Sequence, residues 1–170
     1  LTGTPWKVVA LDATCITSQY KGCQQFERMH LLFDVFTGAL RQVICDLDQC
    51  TGEKLSHFVL EKDWLVLADR HYCSLASFEP AASQGAHLLV RWGRNVGLYR
   101  PVQGAPAWDW KEELGRLEEG DETCGLFWLG KGQRRRKVWV HARHMGTDFQ
   151  ADEIQRLEFK KQKLTPETRE

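Results

Sequence analysis

The chain has 170 residues, 42% of them hydrophobic and 27% charged, a composition that excludes a disordered chain and leaves enough apolar material for one domain with an insertion. No apolar run reaches the roughly 18 residues of a membrane span and no basic segment leads into an apolar one, so a non-secreted, cytoplasmic protein is expected. Lys and Arg number 23 against 23 Asp and Glu, and this zero balance argues against a free-standing DNA-binding domain, which is often strongly basic.

Trp6 to Leu11 (WKVVAL) is almost continuously apolar and stops at Asp12, the pattern of a strand buried on both faces that ends in a carboxylate. After a polar loop, Met29 to Phe36 and Leu40 to Cys45 read as two strands joined by the short Thr37-Gly38-Ala39 turn of a hairpin. Thr51 is placed to cap a short helix in which Leu55, Phe58 and Val59 share a face. Trp64 to Ala68 (WLVLA) is a second buried strand, and it too stops at an aspartate, Asp69. Cys73 to Gln84 reads as a helix kinked or split by Pro80, and His87 to Trp92 as a fifth strand.

This order predicts an α/β fold with a mixed sheet, antiparallel strands first and crossover helices after, over residues 1–92. Residues 93–150 read as a β-rich insertion. It holds a short helix around Trp108 to Leu117, and a β-pair formed by Gly125 to Leu129 and Lys137 to Arg143 about a GKGQ turn. A charged helix and linker are expected over 151–170, with Ile154 and Leu157 along one side. The start at Leu1 and the polar end KLTPETRE suggest a chain cut at both ends.

The chemistry lies in the repeated design of an apolar strand that ends in Asp, because strand ends are where open α/β sheets place their ligands. If the strands ending at Asp12 and Asp69 are parallel neighbours, they run roughly 4.8 Å apart. Two carboxylates so close repel unless a cation sits between them. Mg²⁺ (or Mn²⁺) suits that need, since it takes one or two carboxylates together with phosphate oxygens.

The segments VVALDAT (Val8 to Thr14) and WLVLADRHY (Trp64 to Tyr72), followed by a helix and GAHLLVRW (Gly85 to Trp92), resemble insertion-sequence DDE transposases. The likeness is to the IS-four-like subgroup, which has an RNase H-like catalytic domain and a β-rich insertion between the second and third catalytic acids. The resemblance implies that Asp12 is the first catalytic aspartate. Asp69 is then the second and opens an Asp-Arg-Gly-Tyr-like motif at Asp69, Arg70, His71 and Tyr72, with His71 where the family usually has a small residue. It also implies a Mg²⁺-dependent activity that cleaves transposon ends and joins them to target DNA. The full-length protein would act as a dimer on double-stranded DNA, associated with the bacterial nucleoid.

The family's third acid is a Glu within the pattern Y-x2-R-x3-E-x6-K, and no such segment occurs: Arg156 is followed at the fourth place by Lys160. The chain therefore reads as a catalytic domain truncated before that Glu and inactive alone. A catalytically inactive RNase H-like remnant that binds DNA or a partner is the alternative, and an RNase H-like nuclease unrelated to transposition would share the metal site.

Basic and aromatic residues supply the candidate DNA contacts. Arg70 and Tyr72 follow the second aspartate, Arg91 and Trp92 close a strand on the same side, and Arg134, Arg135, Arg136 and Lys137 form a basic run. That run has an equally ordinary reading as a charged strand edge that prevents edge pairing. Trp6 and Trp64 are expected in the core, and Trp108, Trp110, Trp128 and Trp139 in the small core of the insertion. Cys45, Cys50, His57, His71 and Cys73 fit no standard zinc spacing, and no phosphate-binding loop is present.

Overall fold

The computed structural model describes residues 7–20, 23–46, 54–93, 95–102, 104, 106–130 and 134–145. The expectations for Trp6, Thr51 and residues 151–170 lie outside them.

Strands β1 (Lys7–Tyr20), β2 (Cys23–Asp34) and β3 (Leu40–Asp46) are followed by a 3₁₀ turn at Leu55–His57 and by β4 (Trp64–Ala68). A second 3₁₀ turn at Arg70–Tyr72, helix α1 (Leu75–Ser83) and β5 (His87–Val90) complete the first part. These strands form one five-stranded sheet in the order β3-β2-β1-β4-β5. The β1–β2 and β2–β3 pairs are antiparallel, whereas β1–β4 and β4–β5 are parallel. The fold is thus α/β with a mixed sheet, although strand outweighs helix.

Beyond it lie β6 (Leu98–Tyr99), α2 (Trp110–Leu114), β7 (Glu122–Leu129) and β8 (Arg136–Arg143), whose strands form a second sheet in the order β6-β7-β8.

Strand β1 differs from its expected course. It does not stop at Asp12 but runs on to Tyr20, paired with β2 from Asp12↔Leu31 to Tyr20↔Cys23. Only its parallel partner stops: the pairing with β4 ends at Leu11↔Ala68. The polar loop expected between Asp12 and Met29 is instead a two-stranded ribbon. Thr14, Ile16 and Thr17 suit an extended chain, and pairing with β2 satisfies the backbone there.

Two local readings also change. Pro80 sits inside α1 rather than splitting it. In the expected helix after Thr51, Leu55 and Phe58 are buried, but Val59 is 70% exposed, because the turn closes after three residues and the chain leaves extended at Phe58.

Alternation along the central strands assigns their two faces. Val9, Leu11, Leu32 and Val66 are buried on one face, where Leu55, Phe58, Tyr72 and Ala81 from the two turns and α1 close over them. Burying a side chain of this size contributes about 1.5–3 kcal/mol, so this layer is the main source of cohesion. The other face is more open: Leu65 and Leu67 are half-buried, and Leu89 is 58% exposed.

The chain divides into two compact units, Leu1–Leu98 with Trp128–Arg136, and Tyr99–Phe127 with Lys137–Glu170. The second has its own small core, in which Trp108 packs on Phe127 at 4.6 Å between ring centroids and Arg100 lies over the same ring at 4.9 Å. Trp139, expected in that core, is instead 68% exposed on β8. On this strand the inward positions fall to the flanking Val138 and Val140, so alternation turns Trp139 outward.

Candidate metal and nucleic-acid site

The register of the parallel strands assembles the site. Leu11 of β1 pairs with Ala68 of β4, and Ala68 with Val90 of β5. The next residue on each segment is Asp12, Asp69 and Arg91, so the register brings these three positions to the same end of the three strands. Parallel neighbours lie roughly 4.8 Å apart. Leu11 is buried in the core and Asp12, one residue on, is exposed on the opposite face. Asp69 and Arg91 are exposed as well.

Asp69 is held by the turn that it starts. Its Oδ1 accepts from the Arg70 backbone N–H at 2.6 Å, and its backbone oxygen accepts from Tyr72 N–H at 2.9 Å. Oδ2 lies 3.0 Å from His71 Nδ1. The Arg70 amide, followed by the His71 ring, holds the carboxyl below the usual carboxylate range, so Asp69 stays ionised in mildly acidic solution. Asp12 is held more lightly, with Oδ1 accepting from Ala13 N–H at 2.8 Å.

The remaining expected DNA contacts separate into groups. Arg70 is exposed beside Asp69. Tyr72 is not at the surface. It is 1% exposed in the core, and its hydroxyl shares a 3.0 Å hydrogen bond with Nδ1 of His30, itself 2% exposed. Trp92 is half-buried, with Nε1 donating to Val96 O at 3.1 Å, which ties it to the loop after β5.

Arg134 to Lys137 are all exposed; Arg134 pairs with Glu79 of α1 at 3.2 Å, and Arg135 stacks over Trp128 at 4.5 Å. Arg134 and Arg135 are therefore part of the first unit's surface as well as a source of positive charge.

His30 carries a role that sequence reasoning missed. The only signal was its place in MHLLFD, on the face shared with Leu32 and Asp34, where a polar side chain needs a partner. Nothing in the sequence pointed to Tyr72 as that partner.

The donor set fits a hard divalent cation. Two carboxylates offer about four lone-pair sites each, and the partners named above use one per oxygen at most, which leaves oxygens to ligate an ion. Among the described residues no group of three or more His, Cys, Asp or Glu is placed to hold a metal ion. A cation held here would have Asp12 and Asp69 as its protein ligands, with water or phosphate completing the shell. Among the described residues no helix is long and apolar enough to cross a membrane. No protein-family model, curated protein or solved structure matches the chain.

Proposed function

We propose that this chain carries the first two metal-binding aspartates, Asp12 and Asp69, of an RNase H-like DNA strand-transfer domain of the DDE transposase type. The observation that carries the reading is the Leu11↔Ala68 register of the parallel strands β1 and β4, which makes Asp12 and Asp69 the next residues of neighbouring segments, both of them exposed. The strand order β3-β2-β1-β4-β5, antiparallel at first and parallel after, supports it, since that is the arrangement expected of an RNase H-like sheet.

In this reading Asp12 and Asp69 bind Mg²⁺ or Mn²⁺ and fix its position relative to the sheet. The bound ion would activate an attacking water or 3′-hydroxyl and stabilise the leaving oxygen. The Arg70 amide holds the Asp69 carboxyl below its ordinary value and fixes one of its oxygens. Arg91, next in the row, offers a bidentate donor to a phosphodiester held across the two carboxylates. Arg70 and the run Arg134 to Lys137 add sequence-independent attraction to the DNA backbone. Without a Y-x2-R-x3-E-x6-K segment the chain offers two carboxylates, so it is expected to bind ion and duplex without cutting.

The test is duplex DNA binding by the 170-residue chain with and without Mg²⁺. Mg²⁺ is expected to strengthen binding by the native chain and to leave Asp12→Asn and Asp69→Asn unaffected. Equal affinity with and without Mg²⁺ for all three would overturn the reading.

A further inference from the structure

We infer that His30 and Tyr72 are positioning residues: their buried hydrogen bond is a brace, on the core side of the sheet, that sets the separation of the exposed Asp12 and Asp69. The inference rests on the reading of those aspartates as a cation-binding pair.

Tyr72 closes the turn that Asp69 opens. Its N–H donates to the Asp69 backbone oxygen at 2.9 Å, while its ring is fixed in the core at 1% exposure. Any shift of that ring is passed to Asp69 through a single 3₁₀ turn. His30 reaches the other carboxylate by a similarly short path: it lies on β2 directly opposite Ala13 of β1, the residue after Asp12. Ala13 N–H is the group that donates to Asp12 Oδ1.

The 3.0 Å bond between Tyr72 Oη and His30 Nδ1 therefore joins the two supports of the site, one behind each aspartate. Phe58 packs edge-on against the His30 ring with centroids 6.4 Å apart, and restricts its rotation. The geometry matters because β1 and β4 stop pairing at Leu11↔Ala68, one residue before the carboxylates. Past that point, among the described residues, no β1–β4 ladder bond fixes their separation. A brace on the core side restores the constraint, and both of its members are 2% exposed or less. The ring of Tyr72 would suffice to fill the core. Its hydroxyl, matched to a buried imidazole, adds direction to that packing.

The experiment measures Mn²⁺ affinity by the loss of the free-ion EPR signal on the 170-residue chain. Tyr72→Phe keeps the ring and removes the hydroxyl. It is expected to weaken Mn²⁺ binding by about tenfold, the lower end of what loss of a ligand's support typically costs. His30→Leu should weaken it similarly, and the double variant should be no worse than either single one. His30→Asn, whose amide reaches toward the Nδ1 position, should recover much of the affinity.

Ser77→Ala is the control. It removes another fully buried hydroxyl, which shares a 3.2 Å bond with Ser74, and should leave Mn²⁺ affinity as it is. Native affinity in Tyr72→Phe overturns the brace, and so does an equal loss in Ser77→Ala, which would mean general loosening. If Asp12→Asn and Asp69→Asn bind Mn²⁺ as the native chain does, the cation reading itself fails and the brace with it.

Discussion

Asp34 shows how one side chain decides where a strand stops. The apolar pattern carries this strand to Phe36, but the Asp34 carboxylate accepts from Phe36 N–H at 3.1 Å and Thr37 N–H at 3.0 Å and bends the chain into the hairpin. Arg41 reaches back from β3 to the second oxygen at 2.9 Å. Arg41 first and the Thr37 amide second hold the Asp34 carboxyl at about 2, well under the ordinary carboxylate value. A depressed folded-state pKa contributes stability above the unfolded value of about 4, and that contribution fades as pH falls toward the folded value. Asp34→Asn should therefore melt lower than the native chain at pH 7, and the gap should close on acidification through pH 4 to 2. A gap that stays constant in thermal melts across that range would remove Asp34 as the cause. The aspartate was legible in the sequence; its role was not, because Arg41 is brought to it only by the hairpin.

Among the elements, β4 follows its expected bounds from Trp64 to Ala68, since a short apolar run bounded by charge leaves little choice of strand. β1 was legible only in its first half. The apolar run ends at Leu11, and the ribbon beyond it depends on a partner strand rather than on its own composition. Of the GKGQ turn expected after β7, only Gly130 falls among the described residues, and its need for glycine is a matter of geometry. Gly130 has φ +92°, and a Cβ there would lie 2.5 Å from the Arg134 carbonyl oxygen and 3.2 Å from Leu75 Cδ2. Gly130→Ala should cost about 1–3 kcal/mol, through backbone strain and the clash together. Denaturant unfolding checks this, and an unchanged midpoint would show that the turn relaxes freely.

For the molecule as a whole, the α/β class could be read from the order of the elements, and the parallel pairing of β1 with β4 from two apolar runs that each lead into an aspartate. The division into two compact units could not. Trp128–Arg136 belongs with the first unit, where Arg134 meets Glu79 and Gly130 lies against Leu75, pairings between residues far apart in the chain. That placement puts Arg134 to Arg136 on the unit that bears the aspartates, so the basic run should contribute to DNA binding despite the neutral total. Replacing Arg134, Arg135, Arg136 and Lys137 by Ala should weaken duplex binding. It should also flatten the salt dependence by about 0.9 in log–log slope for each phosphate that the variant no longer neutralises. An unchanged slope would reduce the run to a charged strand edge.

The central claim is that Asp12 and Asp69 hold one divalent cation together, and substoichiometric Mn²⁺ added to the ¹⁵N-labelled chain tests it most directly by NMR. Ala13 and Arg70 donate their amides to the two carboxylates, at 2.8 and 2.6 Å, so each reports on one aspartate. A shared ion should broaden both amide signals together, before those of the acidic turn at Glu118 to Glu122, and either Asp12→Asn or Asp69→Asn should abolish the effect at both. If the two signals broaden at different Mn²⁺ concentrations, or if the acidic turn broadens first, the aspartates do not form a common site.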